Sequence, residues 1–172
     1  MPILLQLVLA SAFPALMIAA AITDLTTYTI PNRINIALAL AFFPLALATT
    51  MPPPLLGLHL LVGTAALLAG MAMFALGWIG GGDAKLLAVC GLWLGWPAAE
   101  AFLLYTAIAG GVFALMLLSL RAPILRSHMP ATGWLARLTS PGEPAPYGVA
   151  MAIGALAAFP AAELIRIAHT SY

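Results

Sequence analysis

The chain has 172 residues, 64% of them hydrophobic and only 6% charged, with a mean hydropathy of +1.10; soluble domains carry roughly 25% charged residues, so the composition reads as an integral membrane protein. At about 20 apolar residues per crossing, this length holds about six helices and no separate soluble domain, and residues 1–172 are expected to form a single membrane-embedded domain, an all-α polytopic bundle. A net charge of +1 from dispersed basic residues leaves no footprint for nucleic acid, and Cys90, the one cysteine, excludes an intramolecular disulfide or a four-cysteine zinc module.

Uncharged apolar segments run from Ile3 to Ile22, Ile34 to Met51, Leu55 to Ile79, Leu86 to Ala99, Ala101 to Leu120 and Tyr147 to Ile165. They predict six crossings. Ala10-Ser11-Ala12 imitates a signal-peptide cleavage site, but no Lys or Arg precedes it and the apolar run continues to Ile22, so an uncleaved first helix is expected. Pro14, Pro44 and Pro160 lie inside these runs, where neighbouring helices can satisfy freed backbone groups. The small residues of Gly63–Ala72 and Ala109-Gly110-Gly111 suit close helix packing. The fourth segment, Leu86 to Ala99, makes roughly 20 Å of helix against a hydrocarbon core of about 30 Å. Either the membrane is thinned there or the helix starts within it, at a depth reached by water.

Orientation follows from the basic residues. With the N-terminus outside, Arg33, Lys85, Arg121, Arg126 and Arg137 fall on the cytoplasmic side and only Arg166 falls outside. Trp78 and Trp134 are then expected at the cytoplasmic interface, Trp93 and Trp96 at the outer one, and Thr49–Pro54 forms a short external turn. Leu120–Pro146 is the longest polar connection. Ile124, Leu125, Met129, Trp134, Leu135 and Leu138 alternate there with Arg121, Arg126 and Arg137, which suits a segment lying against anionic membrane lipids. His59, His128 and His169 have no ligand spacing, so no metal is expected and His59 reads as a polar residue packed between helices. Neither GxSxG nor HExxH occurs, which removes the commonest serine and zinc hydrolase signatures. No cofactor is called for.

The chain has two aspartates, Asp24 and Asp83, both at cytoplasmic ends of predicted helices. An ionisable group near a membrane costs roughly 2.5 to 3.5 kcal/mol on insertion scales and marks a functional site by default. If the ends of the first and fourth helices are neighbours, the two carboxylates come within reach of one shared water. Like charges so close share one proton. The ionised group then takes a proton from water and the protonated one donates to a scissile carbonyl. In the competing reading, Asp24 merely terminates the first helix and Asp83 N-caps the fourth. Gly80-Gly81-Gly82 before Asp83 allow positive φ and close approach of another chain, or form only a turn. Lys85 is an interfacial anchor or a cation that keeps one carboxylate ionised. Pro31 stops a helix from running through the residues before it, and Asn32 is placed to cap the second helix.

Two stretches, "DLTTYTIPN" (Asp24 to Asn32) and "GGGDAKLLA" (Gly80 to Ala88), together resemble the aspartate motifs of the type IV prepilin peptidases, membrane aspartic proteases of the GxGD class. GxGD stands here as Gly80, Gly81, Gly82 and Asp83. A softer likeness is "PAPYGVAMAIGA", Pro144 to Ala155, similar to the Pro-x-Pro-Tyr/Phe-Gly lead into the family's last helix. The resemblance implies a peptidase that cuts the leader from prepilins or pseudopilins at the cytoplasmic face of a bacterial or archaeal-type inner membrane. Its catalytic pair would be Asp24 and Asp83, with Gly80, Gly82, Lys85 and Asn32 admitting substrate or bracing the site, and pilus assembly components as partners. Bifunctional members also methylate the new N-terminus using an insert with paired cysteines; with Cys90 alone, methylation is not expected. The compact form is similar to the peptidases of tight-adherence (Flp) pilus systems.

Two other classes compete. A proton-coupled transporter of small solutes also uses broken helices and buried acids, but at mid-membrane with access alternating between faces. Presenilin-like or signal-peptide-peptidase-like proteases carry Tyr-Asp in the first motif, whereas Thr23 precedes Asp24 here.

Overall fold

The polar residues after Ile22 do not end the first helix. In the computed structural model, which describes residues 3–126, 129–130 and 132–170, helix α1 runs Ile3–Thr27. The hydroxyls of Thr23, Thr26 and Thr27 donate to the carbonyls of Ala19, Ile22 and Thr23 one turn back, so the helix satisfies these side chains itself. It therefore carries Asp24 inside it instead of stopping there.

Next come α2 (Asn32–Ala48), α3 (Pro53–Ala75), α4 (Gly81–Leu94) and α5 (Ala98–Leu120). Two short helices, α6 (Pro123–Arg126) and α7 (Trp134–Leu138), occupy the long connection. The chain ends with α8 (Tyr147–Ala158), a 3-10 turn over Phe159–Ala161, and α9 (Glu163–Thr170). Among the described residues there is no strand, and the protein is an all-α membrane helix bundle. Leu4–Thr27, Pro53–Ala75 and Ala98–Leu120 are long and apolar enough to cross a membrane; α2 and the Tyr147–Ala161 stretch are apolar but shorter. Pro14 and Pro44 sit inside α1 and α2 without ending them.

Other predicted segments shift as well, the third stopping at Ala75 instead of Ile79. The fourth helix has the expected length but begins at Gly81, not Leu86, and stops at Leu94. Gly95 at φ +60 ends it, and Ala98 and Ala99 pass to α5. The sixth segment breaks at Pro160, whose ring cannot continue the helix, and Ala162 is extended before α9 starts. Trp93 also departs from its expected place at the outer interface: it is fully buried, and its indole N–H donates to the Leu38 carbonyl at 2.8 Å.

These shifts make α4 the centre of the molecule. Leu86, Cys90, Trp93 and Leu94 are entirely buried, against Phe13 and Met17 of α1 and Leu38 and Phe42 of α2. The Phe13 ring lies 5.1 Å from Trp93 and 4.8 Å from Phe159. By contrast α3 and α5 expose Leu61, Leu68, Leu104 and Val112 on their outer faces. A helix of 14 residues spans only about 21 Å, and longer neighbours shield it. The stripe Gly63–Ala72 packs as expected: a Cβ on Gly63 would lie 3.0 Å from Leu92, and one on Gly70 3.0 Å from Ala84, so α3 and α4 touch backbone to backbone. His59 is buried between them, its Nδ1 2.8 Å from the Leu92 carbonyl. In the long connection Ile124, Leu125 and Trp134 are exposed as an interfacial segment requires, but Leu138 turns inward and its carbonyl accepts from Arg121 Nε at 3.1 Å. His128 and the side chain of His169 lie outside the described residues.

Replacing Gly70 by Leu must push α4 away from α3. Unfolding of the purified protein in detergent should show it destabilised by about 1–3 kcal/mol, the usual range for overpacking.

Candidate active site

The first amides of any helix lack an intrahelical partner and sit at the positive end of its dipole. In α8 one of them is taken by a residue of α1: Gly148 N–H donates to Asp24 Oδ2 at 2.7 Å, across 124 residues of sequence. Asp24 is 4% exposed, so this bond is what a buried carboxylate requires. The approach depends on glycine. A Cβ at Gly148 would lie 2.7 Å from that oxygen and 2.8 Å from Ile30 Cδ1.

Asp83 is the third residue of α4. Its Oδ2 accepts the Gly80 N–H at 3.2 Å, fastening the helix start from within rather than from the N-cap position, which Gly80 holds. Its other oxygen, Oδ1, is buried with no partner in the protein. The glycines act differently from the expectation of positive φ: Gly80 has φ −73, Gly81 and Gly82 are helical, and the left-handed glycine nearby is Gly77, at φ +73. What Gly82 supplies is contact. A Cβ there would lie 3.1 Å from Ile30 Cβ and 3.2 Å from its carbonyl oxygen, so the loop after α1 rests directly on the first turn of α4.

Asp24 and Asp83 consequently line one cavity of about 300 Å³ at a single end of the bundle, with Tyr28, Trp78, Gly80 and Tyr147. The two charges are within Coulombic reach of each other. Through Ile79, Asp83 and Tyr147 the cavity adjoins an apolar groove of about 350 Å³ walled by Met73, Leu87, Leu103 and Met151. Two carboxylates facing one space can hold and polarise a water, with the groove beside them suited to an apolar chain.

Lys85 and Asn32 stand apart from this cavity. Lys85 Nζ donates to Asn32 Oδ1 at 2.8 Å, and both border a separate hollow with Ile36, Leu67 and Val89. The pair braces the starts of α4 and α2. Asn32 does not cap α2; it is that helix's first residue, and Pro31 holds the cap position.

Sequence reasoning singled out neither Tyr28 nor Gly148 as a site residue. Gly148 was signalled by the Pro-Ala-Pro-Tyr-Gly stretch, and Tyr28 lies between Asp24 and Asn32. Tyr28 leaves α1 at φ +58, a conformation costing a non-glycine residue roughly 1–2 kcal/mol. Its N–H bonds the Asp24 carbonyl at 2.8 Å. The Arg137 guanidinium lies 4.5 Å from the centre of its ring, and Arg137 in turn faces Glu143 at 3.5 Å.

Residues 11–115 match the sequence model of the type IV leader peptidase family. The chain is 34% identical over 159 residues to a prepilin leader peptidase/N-methyltransferase of Bacillus subtilis, an alignment covering 90% of this chain and 56% of that protein. It is 39% identical over 66 residues to a protein of the same description from Aeromonas salmonicida, covering 35% of this chain and 23% of that one. The chain thus spans little more than half the length of these curated relatives at most. No solved structure matches it.

Three outcomes follow from the geometry. Gly148→Ala should lower unfolding stability by about 1–3 kcal/mol through the clash with Asp24 and Ile30, whereas Gly111→Ala, which meets nothing within 4 Å, should be neutral or stabilising by up to about 1 kcal/mol. Lys85→Met, cutting one exposed hydrogen bond, should change stability by no more than about 0.5 kcal/mol.

Proposed function

The chain belongs to the type IV leader peptidase family, and from that premise we propose a membrane aspartic endopeptidase that removes the leader from prepilins or pseudopilins. It works in a bacterial or archaeal-type inner membrane as one multi-pass domain, with its site open to the cytoplasm. The observation that carries this reading is the shared cavity: Asp24 and Asp83, from helices far apart in sequence, line the same space at one end of the bundle. A carrier would need its acids at mid-membrane. The cytoplasmic side is assigned from Arg33, Lys85, Arg121, Arg126 and Arg137, which lie in or beside the terminal turns of helices on that side.

In the proposed reaction a water lies between the carboxylates. The ionised one removes a proton as the water oxygen attacks the scissile carbonyl carbon, and the protonated one donates to the carbonyl oxygen. Asp83 Oδ1, with no partner of its own, is the atom free to carry that proton. The tetrahedral intermediate collapses when the amine leaves with a proton returned by the pair. The Gly148 amide holds Asp24 in place throughout. The substrate's polar leader ends at this cavity and its apolar stem takes the adjoining groove, whose walls are almost wholly apolar. Methylation is left out of the reading, because the single cysteine, Cys90, is buried beside Met17 in the core.

The test is cleavage of a prepilin from the same organism by membranes containing wild type, Asp24→Asn or Asp83→Asn, with sequencing of the product's new N-terminus. Each substitution should slow cleavage by at least about a hundredfold at equal membrane abundance. Cutting by either variant at the wild-type rate overturns the two-aspartate mechanism.

A further inference from the structure

The cavity holds a polar group that the two-carboxylate reaction leaves unused. The Tyr28 hydroxyl is buried and has no hydrogen-bond partner in the protein, yet Tyr28 lines the same space as Asp24 and Asp83. Buried hydroxyls are nearly always paired, so an orphan one on a residue that lines a cavity calls for an occupant that accepts from it or donates to it.

We propose that the Tyr28 hydroxyl is a third catalytic group, donating a hydrogen bond to the oxygen of the scissile carbonyl as negative charge develops there. This rests on the peptidase reading given above and adds to it the partner that stabilises the oxyanion. The phenol keeps its proton throughout; the only proton delivered to that oxygen comes from the carboxylate pair.

Three features support the assignment. First, the backbone that carries this hydroxyl is tied to the elements that carry both aspartates. Tyr28 N–H is bonded to the Asp24 carbonyl, and two residues on, Ile30 packs against both Gly82 and Gly148. Oxyanion stabilisation depends on donors fixed in advance. Second, the backbone adopts the left-handed conformation at Tyr28, φ +58, although the side chain is a bulky one. Strained positions of this kind gather at functional sites, and this one turns the chain out of α1 directly beside the carboxylate. Third, the Arg137 guanidinium over the ring face draws electron density from the phenol oxygen and strengthens O–H as a donor. Burial pushes the phenol above its ordinary value of 10.0, so the group stays protonated at neutral pH.

Tyr28→Phe removes one oxygen and keeps the ring under Arg137. Measured on the prepilin substrate, its kcat should fall by about 10²–10³-fold, the usual loss for one oxyanion donor, with KM within about twofold. Incorporation of 3-fluorotyrosine in place of Tyr28, which restores a hydroxyl of nearly the same shape, should return most of the lost rate. Wild type and Asp83→Asn are assayed in parallel. A Tyr28→Phe protein with wild-type kcat, or a defect confined to KM, overturns the assignment while leaving the aspartate mechanism standing if Asp83→Asn is inactive. A fluorotyrosine protein no faster than Tyr28→Phe also overturns it, because the loss then stems from altered packing. If wild type does not cut, or Asp83→Asn cuts as well as wild type, the peptidase reading fails and the role of Tyr28 falls with it.

Discussion

The hydrogen bond from Gly148 to Asp24 is the contact on which the site depends. It joins the end of α1 to the start of α8 and gives a buried carboxylate the partner that burial demands. The remaining geometry follows from the side chain that fits around it. Ile30, itself buried, packs on Gly148 and Gly82 at once. Through that one residue, the positions of α8 and α4, and so of Asp24 and Asp83, are set against each other. Larger residues at either glycine would separate the helices and pull the carboxylates apart.

The second constraint is the shortness of α4. A segment of about 21 Å cannot cover a hydrocarbon core of about 30 Å, and the molecule answers by surrounding it. Glycines on α3 bring that helix to backbone contact, while α1 and α2 supply aromatic rings around Trp93. Burial in protein is what permits an ionisable residue and a glycine-rich helix start at such a position. Asp83 thus belongs to the most enclosed helix, in its first turn, where it lines a cavity.

Much of this was legible beforehand. Composition and six apolar runs pointed to the membrane bundle, and two lone aspartates near predicted helix ends pointed to residues that line one cavity. Boundaries failed where side chains replaced the expected partners. Thr23, Thr26 and Thr27 look like a loop by polarity, yet they bond back to their own helix. Three glycines look like a break, yet Asp83 fastens the Gly80 amide and lets Gly81 and Gly82 join the helix. Trp93 was assigned to an interface by its residue type, and only the position of the Leu38 carbonyl makes a buried indole acceptable. Lys85 and Asn32 were grouped with the aspartates by the family likeness of the two motifs. Helical rotation sends Lys85 away from Asp83, toward α2. Tyr28 carried only its place between Asp24 and Asn32 as a signal, since neither its left-handed backbone nor its unpartnered hydroxyl can be read from residue type.

The 124-residue separation between Asp24 and Gly148 also sets a schedule. Chains grow at roughly 5–20 residues per second, so α1 emerges roughly 6 to 25 s before the amide that will hold its carboxylate exists. During that interval α1 to α5 can enter the bilayer and pack, but Asp24 has no helix start to bind. The site is completed only when α8 has been made. A ribosome-bound or truncated chain ending before Tyr147 therefore carries both aspartates but lacks the amide that holds Asp24 in its buried position.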